Sequence, residues 1–191
     1  MKILVHLCCG PCAVYPVAVL RDQGHELQGF FFNPNIHPYR EFRRRLAAAV
    51  QFAETVRLPV TWNRDYGLRS FLRTVVFHED DRCRFCYAMR LRETARQAAD
   101  MGMDAFTTTL LYSRYQKHDL IRRLGETVAA ETGVEFYYQD FRVGWQAGID
   151  GAIAMDLYRQ AYCGCIYSEQ ERYDKKWRKR MRRSTVPADA G

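Results

Sequence analysis

The chain has 191 residues, 48% of them apolar and 27% charged, with 29 lysines and arginines against 22 acidic residues and a formal net charge of +7. That length fits one domain with a sizeable core, and the composition excludes a disordered chain. No run of about 18 apolar residues occurs, which excludes a membrane-spanning helix, and the start Met1–Leu7 is too short and too soon interrupted by cysteines for a secretory signal.

Lys2–Leu7 predicts a short buried strand that runs straight into Cys8-Cys9-Gly10-Pro11-Cys12. A helix over Ala13–Arg21 follows, closed by Gly24. His25–Phe32 reads as an aromatic-rich second strand, ended by Asn33-Pro34-Asn35. The spacing of Phe42, Leu46, Val50 and Phe52 predicts a helix over Tyr39–Val56, with Pro59 just beyond it. Val60–Trp62 is a third strand and Leu68–Val76 an amphipathic helix. Cys83-Arg84-Phe85-Cys86 opens a long helix through Met101, with Gly102 as its stop. Asp104–Leu110 predicts a strand, Gln116–Thr132 a helix ending at Gly133, and Val134–Tyr138 a last strand. A helix over Gly148–Tyr162 leads to Cys163-Gly164-Cys165. Ser168 is positioned to cap a basic terminal helix, with Glu171 completing a capping box, and Ser184–Gly191 is expected to fray.

Strands alternating with helices predict an α/β fold with a mostly parallel sheet covered on both faces. Ligands bind such sheets beyond the carboxyl ends of the strands, where the first cysteine cluster and the segment Thr107-Thr108-Thr109 to Tyr112-Ser113 both lie. Residues 1–170 are expected to form the domain, with 171–191 its basic terminal helix and tail.

Seven cysteines in three tight clusters are more than a mononuclear structural zinc uses, and their odd number argues against a disulfide framework. Unexported thiols stay reduced in the cytoplasm, the expected location, so metal ligation or redox chemistry remains. Soft sulfur suits iron, which makes an iron–sulfur cluster the first candidate, with a second metal beside it. Cys83 and Cys86 face the same side of one helical turn, at the helix end that favours thiolates. Cys9 and Cys12 repeat that spacing around Gly10-Pro11, and Cys163 and Cys165 flank a permissive glycine. Cys8 and Cys9 can serve one site only if the backbone turns sharply between them. Two rival readings use the same residues. Cys9, Cys12, Cys83 and Cys86 match a zinc staple in a nucleic-acid-binding module, and Cys9–Cys12 alone matches a thiol–disulfide reductase. Arg172, Lys175, Lys176, Arg178, Lys179, Arg180, Arg182 and Arg183 form one basic patch and Arg40, Arg43, Arg44 and Arg45 another. Such patches suit a polyanion or a solvated helix face.

The cysteine clusters come with further motifs, in order: Phe32-Asn33-Pro34-Asn35-Ile36-His37-Pro38, Arg90-Leu91 after the second cluster, Thr107-Thr108-Thr109-Leu110-Leu111, Tyr115-Gln116, and Tyr158-Arg159-Gln160 before Tyr162-Cys163-Gly164-Cys165-Ile166-Tyr167-Ser168. Over residues 2–170 this set resembles the QueH-type epoxyqueuosine reductases. The resemblance implies a cobalamin-independent enzyme that removes the epoxide oxygen of epoxyqueuosine at the wobble position of tRNA. It implies a 4Fe–4S cluster with an additional mononuclear iron, and a Rossmann-like fold akin to adenine nucleotide α-hydrolases. In that superfamily the loop after the first strand commonly binds phosphate. Here it carries three cysteines, so ATP hydrolysis is not expected.

Turning an epoxide into an alkene takes two electrons and two protons and releases water. A cluster normally cycles one electron, and a neighbouring iron with an open position can bind oxygen as a Lewis acid and relay the second. The thiols are divided on this view into Cys8, Cys83, Cys86 and Cys163 for the cluster and Cys9, Cys12 and Cys165 for the iron. Asn33, Asn35 and His37 are placed to contact the base or supply a proton, with an Asn/Pro turn as the alternative. His118 is a second proton candidate, or a helix-start partner. Tyr112, Ser113, Tyr115 and Gln116 should line the site, and Tyr158 and Arg159 are placed to stack on or pair with RNA, with a plain surface role as the alternative. The partners implied are the tRNA anticodon stem-loop and an electron donor of unidentified kind.

Overall fold

The computed structural model describes residues 1–184. Five strands, β1 (Lys2–His6), β2 (Glu26–Phe31), β3 (Val60–Trp62), β4 (Ala105–Thr108) and β5 (Glu135–Phe136), form one sheet in the order β3-β2-β1-β4-β5. Every pairing is parallel. The central strand β1 is apolar through Ile3, Leu4 and Val5, all fully buried, as a strand covered on both faces must be. The helices are α1 (Gly10–Asp22), α2 (Tyr39–Thr55), α3 (Leu68–Val75), α4 (Arg82–Asp100), α5 (His118–Thr132), α6 (Trp145–Ala154), α7 (Ile166–Tyr173) and α8 (Lys175–Ser184). α1 packs with α2 and α6, and α4 packs with α5. No helix among the described residues is long and apolar enough to cross a membrane.

Strand order reverses between β1 and β4, and this switch point is where an open parallel sheet leaves a crevice for a ligand. His6 ties the carboxyl ends around it. Its Nδ1 lies 2.9 Å from Thr108 Oγ1 and its Nε2 3.0 Å from the Phe32 carbonyl. Burial drives its pKa down to about 4, so the ring is a neutral cross-link at ordinary pH.

The elements differ from the sequence-based expectations at instructive places. α1 begins at Gly10 rather than Ala13, because the Cys9 sulfur caps it by accepting from Cys12 N at 3.2 Å and Pro11 costs no hydrogen bond in a first turn. A side chain at Gly10 would put Cβ 2.4 Å from the Ala48 carbonyl oxygen, so the close approach of α1 to α2 requires glycine. β4 ends at Thr108, whose hydroxyl accepts from Leu110 N at 3.2 Å and starts a 3-10 turn over Thr109–Tyr112.

α6 runs from Trp145 only to Ala154, so the predicted helix over Gly148–Tyr162 is corrected at both ends. Asp156 takes a positive φ of 50°, and beyond it tertiary hydrogen bonds replace helical ones. The single basic terminal helix is two. Cys165, not Ser168, caps α7, its sulfur accepting from Ser168 N at 3.4 Å. Glu171 forms no capping box and pairs instead with Arg82 at the start of α4. Asp174 then caps α8, accepting from Trp177 N at 2.8 Å. The expected fraying falls outside the described residues, apart from Ser184, which ends α8.

Candidate metal centre and substrate cavity

Beyond the carboxyl ends of the strands lies a cavity of about 750 Å³. Cys8, Cys12 and Cys163 reach its wall, as do Asn33, Asn35, Tyr112, Ser113, Gln116 and Arg159. All seven cysteines are free thiols.

The sulfurs of Cys8, Cys9 and Cys12 lie within 4.8 Å of one another. Cys9 is extended, at φ −170° and ψ 166°, yet its sulfur is 4.0 Å from that of Cys8. No sharp backbone turn is needed, because the cap geometry folds the Cys9 side chain back over the first turn of α1. Thr109 holds the loop from the other side of the switch point. Its hydroxyl oxygen accepts from Cys8 N at 3.0 Å and lies 3.1 Å from the Cys8 sulfur. Gln160 closes the triad, with Nε2 3.1 Å from the Cys9 sulfur and 3.4 Å from that of Cys12. Hydrogen bonds from Cys12 and Cys9 pull the Cys8 thiol well below its ordinary pKa. Burial pushes Cys9 up, and the charge and hydrogen bond of Cys8 push Cys12 up. Three sulfurs this close, with Cys8 the one whose pKa is lowered, form a group from which a soft cation could displace protons.

The remaining thiols lie around α4 and the 158–165 loop. Cys86 and Cys165 share a small apolar cluster with Phe71 and Val75. Cys86 is pushed up to about 12, mainly by burial, with Cys163, Cys165 and Cys83 adding like charge and Arg90 opposing them. Arg90 is 2% exposed and donates Nη2 to the Cys86 sulfur at 3.1 Å. Its charge also acts on Cys163 and Cys8. Gln116 reaches Cys163 with Nε2 3.4 Å from the sulfur, held in place by Tyr87, whose hydroxyl donates to Gln116 Oε1 at 2.7 Å.

A buried arginine organises the third cysteine cluster. Arg45, 2% exposed, donates to the Cys163 and Tyr162 carbonyls at 2.7 and 2.9 Å and pairs with Glu41 at 2.7 Å. Tyr158 donates to the other Glu41 oxygen at 2.7 Å. Gly164 adopts φ 146°, and a Cβ there would crowd Arg45 Nη1 at 3.1 Å, so the Cys-Gly-Cys turn and the guanidinium fit together only with glycine. Arg45 is therefore removed from the basic patch assigned to it by sequence. The i, i+4 spacing of Glu41 and Arg45 was the signal that could have identified the buried pair.

Other candidates sit elsewhere. His37 does not line the cavity; it is fully buried against Tyr66 and Phe71. Burial lowers its pKa to about 4, so the ring is neutral, not an imidazolium acid, at neutral pH. His118 pairs with the Tyr138 hydroxyl at 3.1 Å, also off the cavity wall. Asn33 donates Nδ2 to the Leu7 carbonyl at 2.9 Å, which steadies the chain entering the first cysteine loop. Sequence reasoning gave no role to Arg90 or Gln160, and it placed Arg178, a cavity-wall residue, only in the basic tail.

A parallel α/β sheet with a gathered cysteine triad beside a cavity at its switch point defines an α/β protein that could bind a metal there. The family model described as "Epoxyqueuosine reductase QueH" matches residues 3–171. The chain is 37% identical over 174 residues to the epoxyqueuosine reductase QueH of Dehalococcoides mccartyi, covering 91% of this chain and 96% of that protein. It is 33% identical over 183 residues to the protein of the same name from Thermotoga maritima, covering 91% and 93%. The chain belongs to the QueH family of epoxyqueuosine reductases.

Proposed function

We propose that this chain reduces epoxyqueuosine in tRNA to queuosine, with its seven thiols holding an iron–sulfur cluster and a neighbouring iron. The observation that carries the reading is the convergence of thiols from widely separated segments on one cavity at the switch point, in a chain of this family. The donor set fits such groups. Three sulfurs lie within 4.8 Å of one another, and N–H donors of Gln160 and Arg90 are aimed at sulfur, an arrangement that stabilises thiolates.

Spacing and resemblance assigned Cys8 to the cluster and Cys165 to the iron. We propose exchanging them, on the ground that Cys8 lies with Cys9 and Cys12. Cys8, Cys9 and Cys12 are the gathered triad suited to a single iron. Cys83, Cys86, Cys163 and Cys165 are the set left for the cluster, and their charges act together at Cys86. When bound, these groups supply electrons and a Lewis-acidic position for the departing oxygen.

The protein's own residues do the rest. Asn33, Asn35, Tyr112, Ser113 and Arg159 form walls that hold a modified nucleoside against the thiols. Arg45 and Arg90 add fixed positive charge near the reacting region, which offsets the negative charge of several thiolates. The zinc-staple reading needs Cys9 and Cys12 to meet Cys83 and Cys86, whereas their close neighbour is Cys8. The thiol–disulfide reading needs an accessible, acidic cysteine, whereas Cys9 is 1% exposed and pushed up by burial. The test is anaerobic reconstitution with iron and sulfide, followed by reaction with epoxyqueuosine-containing tRNA and a chemical reductant. Mass spectrometry of the digested nucleosides should reveal loss of one oxygen, and an unchanged epoxide from iron-loaded protein would refute the reading.

A further inference from the structure

One aromatic group on the cavity wall runs from a buried ring to an exposed one. Tyr112, Tyr115 and Trp145 all line the cavity, and they form a continuous ring contact. Tyr112 stacks on Trp145 at 5.2 Å between centroids, with the planes 25° apart. Tyr115 meets the same indole edge-on at 5.6 Å and 79°. Arg114 places its guanidinium carbon 5.7 Å from the Trp145 ring centre. Two of the three rings are fixed: the Tyr112 hydroxyl donates to the Trp145 carbonyl at 2.8 Å, and a Cβ on Gly148 would come within 2.3 Å of that hydroxyl.

Tyr115 is different. It lines the cavity, yet it is 85% exposed, so most of its ring is in water. Its backbone is held, since Tyr115 N donates to Ser113 Oγ at 3.3 Å. The next residue, Gln116, touches the Cys163 sulfur, so the ring stands one residue from the thiol wall. Arg159, Arg172 and Arg178 line the same cavity and supply positive charge for a phosphodiester. A solvated aromatic ring in edge contact with a buttressing indole, beside cationic side chains, is an arrangement that can take an unstacked nucleobase.

We infer that Tyr115 stacks on a nucleobase of the RNA entering the cavity, with Trp145 as the buttress that keeps its ring upright. This rests on the tRNA reading above and names the residue that receives the extruded base. A base edited by an enzyme must leave its neighbours, and an aromatic face replaces part of the stacking it loses.

The test uses an anticodon stem-loop RNA with 2-aminopurine at the wobble position and a fluorescein at its 5′ end, titrated with wild type, Tyr115→Leu and Tyr115→Phe. Wild type should bind and quench the 2-aminopurine. Tyr115→Leu should bind about 5- to 150-fold more weakly and lose the quenching, as expected for one base–aromatic stack. Tyr115→Phe should retain both. The salt dependence and the melting temperature of Tyr115→Leu should match wild type, because an exposed ring makes no phosphate contact and little core. Wild-type affinity and quenching in Tyr115→Leu would overturn the stacking role while leaving the tRNA reading intact. A wild-type protein that binds no RNA would overturn the tRNA reading, and the stacking role with it.

Discussion

The two thiol groups are built in opposite ways. Cys8, Cys9 and Cys12 come from five consecutive residues, gathered by one helix N-terminus and one strand end. The proposed second set draws Cys83 and Cys86 from α4 and Cys163 and Cys165 from a loop almost eighty residues later, and of these Cys86 and Cys165 share an apolar cluster. That loop owes its path to residues without thiols: Arg45 on its carbonyls, Glu41 on Tyr158, the His37 carbonyl accepting from Tyr162, and Arg82 pairing with Glu171. Even the Cys-Gly-Cys turn is tied down, with Gly164 N donating to Ser168 Oγ at 3.1 Å. A metal site made from one short loop depends on that loop. A site made from distant segments depends on the packing that brings them together, and is open to damage from residues that never touch metal.

The largest effects should come from the proposed ligands themselves. Cys86→Ser should lose acid-labile sulfide and all epoxide reduction, whereas Cys12→Ala should keep sulfide, lose iron, and be equally inactive. Anaerobic iron and sulfide analysis beside a nucleoside assay separates the two. Next comes Arg45→Gln, which leaves Glu41 buried without its cation. Breaking such a pair costs about 3–5 kcal/mol, and in a domain of this size the melting temperature should fall by at least about 6 °C. Sulfide content should fall with it, and Arg45→Lys should rescue poorly because an ammonium cannot fork to two carbonyls. A normal sulfide load in Arg45→Gln would mean the distant segments assemble without the arginine.

A smaller effect is expected at the local site. Gln160→Leu removes two N–H donors from sulfur and should release iron to a competing chelator about 10- to 100-fold more readily, with sulfide unchanged. The smallest effect is reserved for α8. A chain cut after Tyr173 should keep both metal groups and bind anticodon stem-loop RNA with a shallower salt dependence. The slope should fall by roughly 0.7 to 0.9 for each phosphate that α8 no longer neutralises. Because Arg178 lines the cavity, a point variant Arg178→Gln should reproduce part of that change in the full chain.

Much of this architecture was legible in sequence. β3 lies on Val60–Trp62 as read, and α2 and α3 fall within a residue of expectation, because apolar period and flanking breakers agreed there. The alternation of strands and helices gave the parallel sheet and put the first cysteine loop at its functional edge. What sequence could not give was the 158–165 loop. Its residues have acceptable helical propensity, and only the long-range bonds of Tyr158, Gln160 and Tyr162 pull them out of a helix. The same blindness hid Arg45, which looks like its neighbours Arg43 and Arg44 until Glu41 and the Cys163 carbonyl are brought around it. His37 and His118 were attractive as titratable residues near strand ends, yet proximity in sequence to a loop says nothing about which face a ring takes.

The proposed division of thiols is the central claim, and it is tested most directly by substituting the two cysteines that the proposal places differently from the sequence reading. Cys8→Ser and Cys165→Ser should be reconstituted anaerobically side by side, with iron and sulfide counted per chain. The account predicts that Cys8→Ser retains full sulfide and loses about one iron, the content of a mononuclear site. Cys165→Ser should lose sulfide and most of its iron. The opposite pattern, with sulfide lost in Cys8→Ser and retained in Cys165→Ser, would contradict the account and return Cys8 to the cluster.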